Sequence, residues 1–187
     1  MREHSGTGAP GIVVRRIDKT READVNLPNE PFRLFGRMVP SYINGQWSFE
    51  VIRYAPESVT EMTFPDERYT LEGMPESVFL GAYDGDACIG LAVLHPGSFK
   101  YMYLYDLKVC RAYRGRHVGR MLIDGAKEIA LQRGYRGLYT QGQDNNPGAC
   151  LFYLHAGFHI GGLDTDVYRH TKQAGKADII FYLDCGE

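Results

Sequence analysis

The sequence predicts a single domain of the α+β class, a mixed α/β fold in which strands and helices share one core. Three observations carry this. The first half holds paired apolar runs joined by tight-turn signals. The second half alternates strand, helix, strand, helix, strand. The chain has 187 residues, 44% of them hydrophobic, which is one domain's length and enough to bury a sizeable core.

The elements follow in order. Residues 1–10 read as a flexible N-terminal tail and residues 11–187 as the domain. Gly11–Ile17 (GIVVRRI) is a short first strand, and residues 18–31 are polar and proline-bounded. Phe32–Tyr42 and Trp47–Tyr54 flank Asn44-Gly45, a strong hairpin signal. Residues 55–77 read as a loop with three prolines. It carries six acids (Glu57, Glu61, Asp66, Glu67, Glu72, Glu76) against Arg68 alone. Val78–Tyr83 and Ala87–His95 make a second hairpin around Asp84-Gly85-Asp86, and Tyr101–Val109 is a further strand. From Val118 to Gln132, the residues Val118, Met121, Leu122, Ala126, Ile129 and Ala130 share one face at the helical period, with Gly134 as the stop. Gly137–Gly142 is strand-like. Pro147–His155 suits a short helix, with proline in its first turn and Gly157 just past its end. Phe158–Ile160 and Asp178–Leu183 are the last strands.

Composition narrows the function classes. The longest apolar runs, such as IGLAVL (89–94), are too short to span a bilayer, and MREHSGTGAPG lacks the apolar stretch of a secretory leader. Cys88, Cys110, Cys150 and Cys185 are scattered with no metal-ligand spacing, so they are expected to be reduced thiols and no metal is expected. These features predict a cytoplasmic protein with no membrane partner. Net charge is −2, divided as −5 over residues 1–93 and +3 over residues 94–187. One half then suits a cation and the other an anion, unless the split is chance. No long basic stripe exists, so no nucleic-acid partner is expected.

The stretch YRGRHVG (113–119) carries the most chemistry. A strand ends before it and a helix opens near Val118, whose first N–H groups have no internal partner and sit at the positive end of the helix dipole. Gly115 and Gly119 allow close backbone approach, and Arg111, Arg114, Arg116 and Arg120 add positive charge. Together they make an anion site suited to a pyrophosphate, or else a basic turn that binds nothing. A Walker loop and a dinucleotide fingerprint are both absent.

VCRAYRGRHVGRML resembles the acyl-CoA loop of the GNAT N-acetyltransferase superfamily, whose pattern is R/Q-x-x-G-x-G/A opening a helix after a strand. Arg114 and Gly119 fit its ends, while His117 stands where glycine is usual. The segment Asn146-Pro-Gly-Ala-Cys-Leu-Phe-Tyr153-Leu-His-Ala-Gly157-Phe158 is similar to a second element of that superfamily. NEPFRLFGRMVPSYINGQWSF (29–49) and DNNPGACLFYLHAGFHIGGLDTDVY (144–168) resemble segments of streptothricin acetyltransferases within it.

The resemblance implies a GNAT-like domain with a central, mostly antiparallel, twisted sheet of about 6–7 strands flanked by helices. It implies acetyl-CoA as cosubstrate and a small cationic amine as acceptor, with the chain a monomer or homodimer. Such an enzyme moves acetyl to a primary amine by direct attack through a tetrahedral intermediate. The expected acceptor is the β-lysine amine of a streptothricin-type antibiotic; a protein lysine, a polyamine or a non-catalytic acyl-CoA-binding role are the alternatives. An alkyl ammonium has a pKa of about 10.4, so a base must take its proton.

By the resemblance, Tyr153 is the acid for the leaving thiolate, or else a packed helix tyrosine. Asp106 is the first candidate base, or a structural acid; related enzymes place a glutamate one residue earlier, at Tyr105. In a regular strand Asp106 shares a face with Met102 and Leu104, and a bulge is expected to reset that parity. Leu107 and Val109 are expected to offer backbone groups to the pantetheine arm, and Asn146 to bond the same arm or to cap a helix. The loop Arg114, Gly115, Arg116, His117, Val118, Gly119, Arg120 is expected to wrap the pyrophosphate, with His117 at negative φ and pointing to solvent. Cys150 is expected to be packing rather than a nucleophile.

Overall fold

The computed structural model describes residues 11–186, so the expected tail at residues 1–10 lies outside the described residues. The frame is one seven-stranded sheet of β1 (Ile12–Arg16), β6 (Val78–Asp84), β7 (Ala87–His95), β8 (Tyr101–Val109), β9 (Gly137–Gln143), β10 (His159–Asp164) and β11 (Asp178–Asp184). Their order across the sheet is β1-β6-β7-β8-β9-β11-β10. Neighbours run antiparallel except β8 and β9, which are parallel. A parallel pair needs a crossover, and α1 (Val118–Gln132) supplies it.

The strands between β1 and β6 form small satellites. β2 (Phe32–Leu34) pairs with β5 (Thr60–Met62). β3 (Gly36–Ile43) and β4 (Gln46–Arg53) form a separate hairpin turned by Asn44 and Gly45, at φ 50° and 80°, as a two-residue turn of that type requires. This hairpin stands outside the central sheet. It is pinned by Met38, Trp47 and Val51 on the core and by the Met38 N–H on the Asp144 carbonyl at 2.7 Å.

The larger differences from the sequence reading are four, the first being that the run Phe32–Tyr42 is divided at Phe35 into β2 and β3, which join different partners. The polar stretch after β1 contains a 3-10 helix, Lys19–Asn26, capped where Asp18 accepts from the Thr20 N–H at 2.9 Å. The loop 55–77 contains the short strand β5, which forms only because β2 lies beside it. β10 runs on to Asp164 because β11 pairs along it.

The sheet has apolar cover on both faces at its centre. Ala92 and Leu94 of β7 and Met102 and Leu104 of β8 share one core cluster with Leu122, Ile123 and Ala126 of α1. Leu91 and Val93 face the other way, onto Val25, Tyr69 and Phe79. That two-sided burial is why IGLAVL reads as a continuous apolar run rather than an alternating one. α2 (Pro147–His155) packs on the α1 side through Cys150 and Tyr153.

Candidate active site

β8 and β9 pair over only three positions, Tyr101–Gly137, Met102–Leu138 and Tyr103–Tyr139. Beyond Tyr103 they separate and leave a wedge in the middle of the sheet. The wedge opens into a groove of about 1430 Å³ running from the α1 N-terminus, past α2, to the tyrosines of the opposite face. Of the residues singled out from the sequence, Asp106, Leu107, Val109, Arg114, Gly115, His117, Val118, Gly119, Arg120, Asn146 and Tyr153 all line it. Arg116 is not among the lining residues; its guanidinium carbon lies 4.9 Å from the centre of the Tyr113 ring.

At one end the loop forms a positively polarised cradle. Gly115 and His117 adopt φ of 73° and 63°, the alternation that turns successive N–H groups to one side. Among the described residues, the N–H groups of Val118, Gly119 and Arg120 find no acceptor within the chain. Gly119 packs beneath Phe152, where a Cβ would lie 2.9 Å from the ring.

His117 corrects the expectation of a negative φ: it is left-handed and serves as the N-cap of α1. Glycine is the cheap residue for this backbone, which accounts for its usual presence there. His117→Gly is expected to raise unfolding stability by about 0.5–1 kcal/mol, the left-handed cost less the extra chain entropy of glycine. Acetyl-CoA affinity is expected to stay within about tenfold, as titration calorimetry would show.

Arg114 works as a brace. Its guanidinium donates to the Val109 carbonyl at 3.0 Å and the Pro31 carbonyl at 2.8 Å, and it lies 3.8 Å from Glu30. Arg120 is 3.8 Å from Asp124 and donates to the His155 carbonyl at 3.4 Å. Positive charge in the cradle therefore comes chiefly from the backbone.

In mid-groove the strand edge is exposed. The Cys110 N–H donates to the carbonyl of Ile89 in β7, at 2.9 Å. Alternation along β8 then turns the backbone groups of Val109 and Leu107 away from β7, toward the side β9 has left. Asn146 caps α2, its side-chain oxygen accepting from the Ala149 N–H at 3.2 Å, which leaves its amide NH₂ for a ligand. Tyr153 is 8% exposed and packs on Phe158 and Phe181. Burial pushes its phenol up to about 12, a contact from Thr140 opposing and the charge of Asp106 adding to the rise. It therefore holds a proton at neutral pH. Cys150 is a buried packing residue whose thiol burial pushes up to about 12.

The bulge is where expected. Val93 pairs with Asp106 but Leu94 pairs with Leu104, leaving Tyr105 extra. The parity of the strand resets there. Met102 and Leu104 are in the α1 core, whereas Asp106 faces Lys108 and Tyr69. Asp106 lies 3.1 Å from the Lys108 ammonium and accepts from the Tyr69 hydroxyl at 3.1 Å.

The sequence reading did not separate Glu67 from the other five acids of 55–77, and it missed Tyr69 and Lys108. Glu67 Oε2 accepts from the Tyr105 hydroxyl at 2.8 Å and shares with Asp106 the proton of the Tyr69 hydroxyl, 3.0 Å away. Lys108 also donates to the Leu27 carbonyl at 3.3 Å and has a nearly buried side chain. Of the six acids in 55–77, Glu67 is the one that lines the groove. Among the described residues, no group of three or more His, Cys, Asp or Glu side chains is placed to hold a metal ion. No helix there is long and apolar enough to cross a membrane.

Comparison with known proteins converges on one family. The profile of the Acetyltransferase (GNAT) family matches residues 43–158. Streptothricin acetyltransferase A of Bacillus subtilis (strain 168) is 33% identical over 171 residues, covering 91% of this chain and 98% of that protein. An acetyltransferase of Bacillus anthracis str. Ames, solved in complex with acetyl coenzyme A, superposes with a TM-score of 0.81 at 26% identity, over 92% of this chain and 98% of its own. A nourseothricin acetyltransferase shares the fold, with a TM-score of 0.77 at 22% identity over 94% of this chain and 99% of its own.

Proposed function

Because this chain belongs to the GNAT acetyltransferase family, and is an N-acetyltransferase drawing on acetyl-CoA, we propose that it acetylates a primary amine of a streptothricin-type antibiotic, the β-lysine amine, and so inactivates the drug. The observation that carries this is the charge layout of the groove. An anion cradle lies at one end, a protonated phenol in the middle, and carboxylates among tyrosines at the other end. A strongly cationic small molecule suits that last region. The Bacillus subtilis streptothricin acetyltransferase A relative, matched over nearly its full length, supports the choice of acceptor.

Residue roles follow from position. The N–H groups of Val118, Gly119 and Arg120 hold the pyrophosphate, with Gly115 and His117 shaping the cradle. Leu107 and Val109 present backbone groups to the pantetheine arm, and Asn146 adds its amide. When bound, the cosubstrate supplies a thioester carbonyl and a thiolate leaving group. Charge building on the carbonyl oxygen is met by backbone N–H groups freed at the bulge. Tyr153 donates a proton to the departing sulfur.

Asp106 takes the amine proton, directly or through water. The Lys108 ammonium beside it disfavours a second positive charge and so favours the neutral, nucleophilic form of the incoming amine. The test is CoA release from acetyl-CoA with streptothricin as acceptor. Release that depends on both components supports the assignment; no release above the acceptor-free control contradicts it.

A further inference from the structure

Of the carboxylates that line the groove, Glu30, Asp106 and Asp124 each lie in an ion pair, Asp178 is buried and accepts from the Tyr168 hydroxyl, and Glu67 alone is both exposed and, among the described residues, unpaired. Asp106 is already matched by Lys108 at 3.1 Å. Among the described residues, Glu67 forms no ion pair at all. Both of its hydrogen bonds come from neutral phenols, and both fall on Oε2, so Oε1 is left for another donor. The adjacent imidazole of His95, whose ring centre is 4.5 Å from that of Tyr105, is pushed down by burial and supplies no steady countercharge. Tyr103 and Tyr105 meet edge to face at 5.6 Å beside it and add aromatic surface that favours a cation. A carboxylate fixed by two hydroxyls and lacking a cation is a prepared place for one.

We propose that Glu67 anchors a second, non-reacting ammonium of the acceptor, making the enzyme selective for amines that carry two or more positive charges. The inference rests on reading the groove as an acetyl-transfer site, and it deepens that reading. An ammonium held against a carboxylate is stabilised in its charged form, which is wrong for the group that must attack. Glu67 therefore serves the group that stays charged, while the reacting amine sits by Asp106. The reach is suitable. Both carboxylates lie within hydrogen-bond reach of the one Tyr69 hydroxyl, whose single proton they share, so their nearest oxygens are no farther apart than about 6.1 Å. β-Lysine carries two amino groups on one short chain, so one can be anchored while the other reacts.

Glu67→Gln keeps the size and one acceptor oxygen for the tyrosine hydroxyls, turns the other oxygen into an NH₂ donor, and removes the charge. It is expected to raise KM for streptothricin about 10- to 100-fold, the loss typical of a charged hydrogen bond. The turnover rate and the KM for acetyl-CoA should stay within about twofold, and the salt dependence of the streptothricin KM should flatten. Glu67→Asp should recover part of the loss. An unchanged KM would overturn the proposal. So would a fall in kcat with a displaced pH profile, which would make Glu67 a base instead.

A second arm does not need the antibiotic. Calorimetry with CoA-saturated protein compares cadaverine with pentylamine, which differ by one ammonium. The wild type should prefer cadaverine about tenfold and Glu67→Gln should lose the preference; equal affinities in the wild type would overturn the anchor. If the wild type releases no CoA with streptothricin, the acceptor assignment fails and the cadaverine comparison alone decides the role of Glu67.

Discussion

Gly119→Asp is expected to abolish acetyl-CoA binding, weakening it by more than about 100-fold. Two effects add. The new Cβ would lie 2.9 Å from the Phe152 ring, so the ring must shift. The new carboxylate would also sit among N–H groups at the positive end of the helix, where it competes with the pyrophosphate and repels it. Gly119→Ala separates the two, since it keeps the steric contact and lacks the charge; it should bind more weakly than wild type but more tightly than the aspartate. Calorimetry with acetyl-CoA reads both, and thermal melts confirm folding. A tightly binding Gly119→Asp protein would show that the cradle does not hold the pyrophosphate.

Tyr153→Phe is expected to lower kcat by about 10²-fold or more, the usual share of a general acid. The KM values should change little, because the ring keeps its packing on Phe158 and Phe181. Burial raises the phenol's pKa to about 12, so the acid stays protonated as pH climbs and is lost only near that value. The wild-type rate should therefore show no alkaline decline from this group below about pH 10. A Tyr153→Phe enzyme that turns over at the wild-type rate would remove Tyr153 from the chemistry.

What the sequence made legible was local. α1 spans Val118–Gln132 and α2 spans Pro147–His155, as periodicity, proline and glycine indicate, because capping and amphipathic patterns are written in neighbouring residues. β7 and β8 have the expected limits for the same reason. The anion cradle was also visible, since a glycine-bracketed turn before a helix needs no distant partner. Its backbone detail was not: the positive φ of His117 depends on how the turn meets α1.

The acceptor side of the groove was largely hidden. Asp106 was legible as a carboxylate out of place on an apolar face, and the bulge at Tyr105 accounts for it. Glu67 and Tyr69 lie in what reads as an acidic loop, and they reach Tyr105 and Asp106 across 38 and 37 positions of sequence. Nothing local marks Glu67 among six acids as the one that lines the groove. Lys108 looks like a solvated strand residue until Asp106 and the Leu27 carbonyl are placed around it. Residues fixed by long-range pairing leave no periodic trace.

Mass spectrometry of streptothricin after incubation with this protein and acetyl-CoA addresses the whole reading in one step. The expected product carries one added acetyl group, located by fragmentation on an amine of the β-lysine chain, and does not form without protein or without acetyl-CoA. Unmodified streptothricin, or acetylation at an oxygen or at a nitrogen outside that chain, would contradict the assignment.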